Sequence, residues 1–303
     1  MRRWSSAPDP AVDSGWSDTT ARKGFFTDSS ICIGCKACEV ACKEWNGIPE
    51  DGLQLLGMSY DNTGSLGAST WRHVAFIEQP RRSVATAGFT PLPVVATPNE
   101  ATMTSVGDTG IRWLMSSDVC KHCTHAACLD VCPTGALMRS EFGTVVIQAD
   151  VCNGCGYCVP ACPFGVIERR EGDRTVLNAG VAQKCTLCYD RLGAGMVPAC
   201  AKACPTESIQ FGDLDDLRVH AAQRVSTLHD DGVVDARLYG EDESDGIGGA
   251  GAFFLLLDEP EVYGLPPDPV VTTRDLPAMW RGAAIAGAAL LAGAAAACAG
   301  RRS

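Results

Sequence analysis

The stretch CIGCKACEVAC, residues 32–42, recurs later in the chain as CNGCGYCVPAC, residues 152–162. Both stretches space their cysteines as C-x2-C-x2-C-x3-C. Three thiols at x2 intervals in a tight loop can point at three corners of one cube, while the fourth lies on the following helix and faces away from it. This spacing is typical of ligands to [4Fe–4S] clusters, so it predicts iron–sulfur binding.

Two further groups of four cysteines have related spacing. The second group reads C-x2-C-x4-C-x3-C from Cys120, and the fourth reads C-x2-C-x11-C-x3-C from Cys185. The four groups use sixteen of the seventeen cysteines, which is the number of thiolates that four [4Fe–4S] clusters need. The predicted metal ligands are Cys32, Cys35, Cys38, Cys42, Cys120, Cys123, Cys128, Cys132, Cys152, Cys155, Cys158, Cys162, Cys185, Cys188, Cys200 and Cys204.

Disulfide bonds and structural zinc are the competing explanations for these cysteines. Disulfides are usual in small secreted domains, whereas this chain has 303 residues and crowds its cysteines at x2 spacing. Zinc sites prefer two C-x2-C pairs that lie farther apart, without the x2-x2-x3 run. The net charge of −11 also argues against nucleic acid as a partner, because a nucleic-acid-binding protein is expected to carry a basic patch.

The segments that follow three of the groups are related: CPTGAL from Cys132, CPFGVI from Cys162 and CPTESI from Cys204. This repetition indicates a duplicated unit of loop, short helix and strand, as in bacterial two-cluster ferredoxins, where the fourth cysteine binds the other cluster. We therefore predict an α+β fold with a duplicated bacterial two-[4Fe–4S] ferredoxin-like head.

Four segments are predicted along the chain. Residues 1–28 are predicted to be a disordered tail, since Arg2 and Arg3 are followed by polar sequence rather than the apolar run of an export signal. Residues 29–212 are predicted to form the four-cluster domain, with an insertion at about 43–119. Residues 213–278 are predicted to be a C-terminal extension and linker, and residues 279–301 a transmembrane helix.

Local patterns predict several elements within these segments. Strands are predicted at Trp71–Glu78, Gly143–Gln148 and Ala252–Leu257, and an amphipathic helix at 214–228. Pro80–Gly110, which is rich in Pro, Thr, Ala and Gly, is predicted to be an exposed insertion.

The C-terminal segment has nineteen uncharged residues, Gly282–Gly300, close to the ~20 that span hydrocarbon. Its many Ala and Gly residues favour close packing on a partner helix, and a buried helix of a soluble protein is the alternative. Arg301 and Arg302 after the helix, against Arg281 before it, favour an inside C-terminus and a cluster-bearing head on the extracytoplasmic side.

The chain resembles the four-cluster subunits of molybdenum and tungsten oxidoreductases, and within them the β subunit of membrane-bound respiratory formate dehydrogenase. The resemblance is carried by CIGCKAC (32–38), EWN (44–46), CNGCGYC (152–158), KCTLC (184–188), PAC (198–200) and YGLP (263–266) before a single membrane helix. It implies an electron-transfer subunit without catalytic residues of its own, with a molybdenum or tungsten catalytic α subunit and a haem b membrane γ subunit as partners.

The resemblance also implies a pairing of the ligands that spacing alone leaves open. One cluster would be held by Cys32, Cys35, Cys38 and Cys204, and its neighbour by Cys42, Cys185, Cys188 and Cys200. A third would be held by Cys120, Cys123, Cys128 and Cys162, and the fourth by Cys132, Cys152, Cys155 and Cys158.

The predicted function is therefore electron transfer from a molybdopterin formate dehydrogenase catalytic subunit, through four [4Fe–4S] clusters, to a quinone-reducing haem b subunit. The alternatives are the same role in a related hydrogenase or in a polysulfide or sulfoxide reductase, and a cluster-binding redox sensor. A sensor would usually bind one exposed cluster and would need no membrane anchor.

Several residues near the cysteines have two possible roles. Lys36, Lys121 and Lys184 flank ligands, where positive charge would favour a reduced cluster; simple solubility is the alternative. His122 and His125 are expected to be surface residues or neighbours of the ligands rather than ligands. Cys298 is expected to pack in the membrane helix.

Overall fold

The computed structural model describes residues 9–18, 20–52, 57, 60–61, 63–80, 111–173 and 175–300. The helices are α1 (Pro10–Asp13), α2 (Ala37–Asn46), α3 (Ala127–Asp130), α4 (Cys158–Ala161), α5 (Tyr189–Gly193), α6 (Ala199–Lys202), α7 (Leu214–Asp230) and α8 (Leu276–Gly300). The strands are β1 (Lys23–Asp28), β2 (Arg72–Pro80), β3 (Ile111–Val119), β4 (Leu137–Arg139), β5 (Val145–Ile147), β6 (Glu168–Arg169), β7 (Ala182–Gln183), β8 (Ile209–Asp213), β9 (Arg237–Tyr239) and β10 (Ala252–Leu256).

The head is built on a four-stranded sheet in the order β8-β1-β10-β9. β1 runs parallel to β10 and antiparallel to β8, and β9 is antiparallel to β10. Because side chains alternate along a strand, the two faces of the sheet pack differently. Phe26, Phe253 and Leu255 pack with the apolar face of α7, whereas Phe25, Phe254 and Leu256 pack with the cysteines.

The N-terminal segment has defined structure, so the predicted disordered tail over 1–28 is wrong for most of residues 9–28. Every residue of β1 after Lys23 is buried. Ahead of it, Ala11 is fully buried and the Trp16 indole donates a hydrogen bond to the Arg139 carbonyl oxygen over 2.8 Å. The polar composition that suggested disorder is outweighed by the apolar surface that Phe25 and Phe26 bury. Residues 1–8 and 19 lie outside the described residues.

A long hairpin covers the first cysteine group. β2 and β3 pair antiparallel over nine residues, from Arg72 opposite Val119 to Pro80 opposite Ile111. This confirms the strand predicted at Trp71–Glu78. The hairpin is attached to α2 because the backbone N–H of Val74 donates to the buried carboxylate of Glu39. Apart from Pro80, the insertion predicted at Pro80–Gly110 lies outside the described residues.

The middle of the chain repeats one small unit. α3 precedes the β4–β5 hairpin, and α4 precedes the β6–β7 hairpin, each after a cysteine loop. The strand predicted at Gly143–Gln148 is confirmed as β5. The segment predicted as a C-terminal extension, 213–278, supplies α7, β9 and β10, and two of these are strands of the same sheet as β1.

The last described element, α8, is long and apolar enough to cross a membrane over Ala278–Cys298. None of that window is buried against the rest of the chain, and Ile285, Leu290 and Leu291 are all largely exposed. Exposed apolar surface of this extent indicates a membrane or partner surface, and it disagrees with the buried helix of a soluble protein. The fold is thus an α+β ferredoxin-like head with one C-terminal candidate transmembrane helix.

Candidate iron–sulfur centres

The loop before α2 curls so that its cysteines face one cavity. Gly34 and Lys36 adopt left-handed φ values of 64° and 58°, which turn the backbone between the cysteines. The residues that line the cavity include Cys32, Cys35, Cys38 and, from far along the chain, Cys204. Burial raises the pKa of the Cys38 thiol to about 11, even though the Ser117 hydroxyl lies 3.3 Å from its sulfur.

The fourth cysteine of that loop, Cys42, lies on α2 and belongs to a second group. Burial raises its pKa well above the usual thiol value, and the charges of Cys185, Cys200 and Cys188 raise it further. Cys188 adopts a left-handed φ of 50° at the start of α5. The helical turn between Cys38 and Cys42 therefore separates the two groups, as the x3 spacing predicts.

The second motif forms a third group with Cys162 rather than with its own last cysteine. Burial raises the pKa of Cys123, and the charges of Cys120, Cys128 and Cys162 add to that effect. The pKa of Cys128 is raised to about 12, again mainly by burial.

The third motif and Cys132 make the last group. Burial raises the pKa of Cys158 to about 11, and the charges of Cys152, Cys155 and Cys132 contribute to the rise. Cys155 is exposed, whereas Cys158 is buried.

The four groups follow one another in a row. The charge of Cys200 in the second group acts on Cys38 in the first. Cys120 of the third group is the largest charged influence on Cys185 of the second. Cys158 of the last group acts on Cys128 of the third. The structure therefore brings together the same sets of four that the resemblance implies, and which cluster each set binds stays a prediction.

The chemistry of these sites suits [4Fe–4S] clusters. All seventeen cysteines are free thiols. Among the described residues no group of three or more His, Cys, Asp or Glu side chains is arranged to hold a single metal ion. Because burial disfavours the bare thiolates, a cationic iron–sulfur core that takes up their charge stabilises the site, and metal binding is then coupled to folding.

Two of the three lysines next to the ligands are buried, which disagrees with the interpretation that they only make the protein soluble. Lys121 and Lys184 are each only 1% exposed, so that interpretation is wrong for both. Lys184 donates to the carbonyl oxygens of Val145 and Cys185, and its charge acts on the Cys128 thiol. Lys121 pairs with Asp118 and lies over the rings of two phenylalanines.

The remaining candidates are not placed as ligands. His122 is buried, and its Nδ1 accepts a hydrogen bond from the Val145 N–H over 3.1 Å. His125 lies against Gly248. Cys298 is exposed on α8, away from the cysteine groups.

The sequence patterns missed two buried arginines beside the cysteines. Arg72 is 1% exposed and begins β2; Arg139 is 6% exposed and ends β4. Arg139 donates to the carbonyl oxygens of Cys123, Thr124 and Gly143. The available signal was a charged residue at the edge of an apolar strand that lies close to a cysteine group.

Comparison with known proteins agrees with these sites. Residues 31–136 and residues 111–214 each match a model described as a 4Fe-4S dicluster domain. The formate dehydrogenase iron-sulfur subunit of Haemophilus influenzae is 37% identical over 249 residues, covering 80% of this chain and 68% of that protein.

Two proteins of Escherichia coli K12 are also similar. The nitrate-inducible formate dehydrogenase iron-sulfur subunit is 36% identical over 270 residues, covering 88% of this chain and 79% of that protein. The B subunit of the anaerobic dimethyl sulfoxide reductase is 32% identical over 205 residues, covering 66% of this chain and 77% of that protein. With its cysteine groups, its two dicluster-domain matches and these relatives, the chain belongs to the family of formate dehydrogenase iron–sulfur subunits.

Proposed function

We propose that this protein is the electron-transfer subunit of a membrane-bound formate dehydrogenase. It carries electrons from a molybdenum or tungsten catalytic α subunit, through four [4Fe–4S] clusters, to a haem b membrane γ subunit that reduces quinone. The observation that carries the proposal is the unbroken row of four cysteine groups, each with four thiols.

The proposed ligand sets are those implied by the resemblance, and the cavity shared by Cys204 and the first loop supports them. When bound, each cluster would supply one-electron uptake and release. The chain's own residues hold the clusters at fixed places, exclude water by burying seven of the sixteen cysteines and partly covering seven more, and set the charge around each site.

The position of α8 supports a direction of electron flow along the four cysteine groups. Just before α8, the Thr273 hydroxyl donates to the Asp130 carboxylate over 2.5 Å, and Asp130 ends α3 between Cys128 and Cys132. The base of the anchor is thus attached to the half of the head with the third and last groups. Electrons would enter at the first group, with its exposed Cys35, and leave at the last, with its exposed Cys155.

The head is proposed to lie on the extracytoplasmic side. The support is the arginine pair Arg301 and Arg302 after the apolar segment, against the single Arg281 at its beginning, because cytoplasmic flanks carry the excess of basic residues.

The test is purification of the intact complex through a tag on this protein, followed by formate-dependent reduction of a dye and of quinone. We expect a molybdopterin subunit to copurify and both activities to be present. Dimethyl sulfoxide reduction without formate oxidation would instead favour the second candidate, a subunit of a sulfoxide reductase, which the similarity to the dimethyl sulfoxide reductase subunit motivates.

Deleting everything after Leu276 separates the head from its anchor. We expect iron content and formate-dependent dye reduction to survive, while quinone reduction falls, since α8 is the membrane-spanning candidate among the described residues. A truncated protein that stays in washed membranes and still supports quinone reduction would contradict the proposal that α8 is the membrane anchor.

A further inference from the structure

The first two cysteine groups share one buried cation. The side chain of Arg72 is 1% exposed, and its guanidinium lies over the Phe25 ring with its central carbon 4.8 Å from the ring centroid. Both residues come from elements that close around the first two groups: β2 of the covering hairpin and β1 of the main sheet.

Only one of the three guanidinium nitrogens of Arg72 is hydrogen-bonded within the described chain. Nη1 donates to the Ser117 carbonyl oxygen over 3.2 Å and to the Ser117 hydroxyl over 3.1 Å. That hydroxyl in turn lies 3.3 Å from the Cys38 sulfur. Nε and Nη2 are buried and have no hydrogen-bond partner among the described residues. Two donors are therefore left for an acceptor that protein atoms in this part of the chain do not supply.

The charges around Arg72 are those of the cysteines. Burial alone would lower its pKa, but the thiolates of Cys200, Cys38, Cys185 and Cys42 together raise it above the usual value. Within the described chain Arg72 makes no ion pair with an Asp or Glu side chain. A buried charge is tolerated only with a counter-charge, so the counter-charge of Arg72 is supplied by the cysteine groups.

We infer that Arg72 is a positioning residue that serves as the common counter-cation of the first two clusters, the one assigned to Cys38 and the one assigned to Cys42, Cys185 and Cys200. This rests on the proposed function. Each one-electron reduction adds one negative charge to a cluster without making or breaking a bond. A fixed cation beside two clusters favours the reduced form of both, because it attracts the negative charge that each reduction adds.

The test uses three variants of the full chain in its purified complex. Arg72→Gln removes the charge but keeps a donor for Ser117, and Arg72→Lys keeps the charge. Arg112→Gln is the matched control, because Arg112 lies on the same hairpin, paired with Gln79 at its opposite end, and forms an ion pair with Asp258. The readouts are iron per chain and the midpoint potential of each cluster from anaerobic titration followed by electron paramagnetic resonance.

In Arg72→Gln we expect iron to be unchanged and two of the four clusters to become harder to reduce. The equilibrium constant for reduction should fall at least tenfold for each, a shift of about 59 mV for one electron. The other two clusters should keep their potentials. Arg72→Lys should recover most of the shift, and Arg112→Gln should show none.

Unchanged potentials in Arg72→Gln with full iron would overturn the inference, and so would an equal shift of all four clusters. If Arg72→Gln loses iron, Arg72→Lys decides: it keeps the charge, so the first two clusters should stay close to their parental potentials, and a fall of about 59 mV or more in both would overturn the inference. Titration with a chemical reductant needs no formate, so loss of formate oxidation in the parent complex would count against the proposed function alone.

Discussion

The loops at 32–42 and 152–162 have identical cysteine spacing and different surroundings. The first is covered by the β2–β3 hairpin, has the buried cation Arg72 beside it, and keeps Cys38 and Cys42 buried. The loop at 152–162 has no covering hairpin of that length in the described part of the chain, and its Cys162, in the position of Cys42, is only partly buried. Spacing therefore decides which thiols can reach a cube, whereas the charge and water around that cube depend on residues distant in sequence.

The strongest way to test this difference is to remove the ligand that the first loop takes from elsewhere. Cys204→Ala removes the distant thiol from the cavity of the first loop. We expect either the loss of about four iron atoms per chain or the conversion of one cluster to a form with fewer iron atoms. The electron paramagnetic resonance signal of the first group should change. Cys298→Ala on α8 is the control, and it should change neither the iron content nor the signal of the first group. Spectra in which only the group of Cys185, Cys188 and Cys200 is altered would contradict the proposed ligand sets.

A smaller effect is expected from adding one methyl group to each loop. Gly154 (φ 71°) would place a Cβ 2.6 Å from the Gly180 backbone oxygen, whereas Gly34 (φ 64°) would place one 2.6 Å from the Phe76 ring and 2.8 Å from the Met115 sulfur. Both alanines cost about 1–2 kcal/mol for the left-handed backbone. Gly154→Ala should cost roughly 1–3 kcal/mol more, since a backbone atom cannot turn away.

The measurement for this pair is the rate of iron release during heating under anaerobic conditions. Gly154→Ala should release iron sooner than Gly34→Ala, and the release should begin with the last group. Equal rates would mean that the backbone around Gly180 yields as readily as the side chains around Gly34.

The smallest effect concerns the second residue of each loop, Ile33 in the first and Asn153 in the last. The Asn153 side-chain oxygen accepts a hydrogen bond from the Cys155 N–H over 3.1 Å, and Ile33 has no such oxygen. Asn153→Ile should therefore cost about 0.5–1.5 kcal/mol of loop stability. Hydrogen exchange at the Cys155 amide should rise, while the reciprocal Ile33→Asn leaves that amide unchanged; no change in Asn153→Ile would show that the bond is not formed in solution.

Sequence patterns predicted the parts of the molecule that depend on local spacing. The cysteine quartets, the strand predicted at Trp71–Glu78, the amphipathic α7 and the buried β10 follow from periods of a few residues. The burial of Arg72, Lys121 and Lys184 was not predictable in this way, because it depends on elements that meet only in the folded chain. The N-terminal segment was missed for the same reason: β1 is a strand because β8 and β10 flank it.

The placement of β1 between β8 and β10 constrains the order of assembly during synthesis. The third and last groups draw all their thiols from residues 120–162, so their loops can close early. The first group needs Cys204, and the sheet behind it closes only after β10 has been synthesised. At ~5–20 residues per second, the thiols of 32–42 wait on the order of ten seconds or longer for their partners. Iron–sulfur delivery to this end of the row therefore comes later than delivery to the third and last groups, and the nascent chain has to keep those cysteines reduced until then.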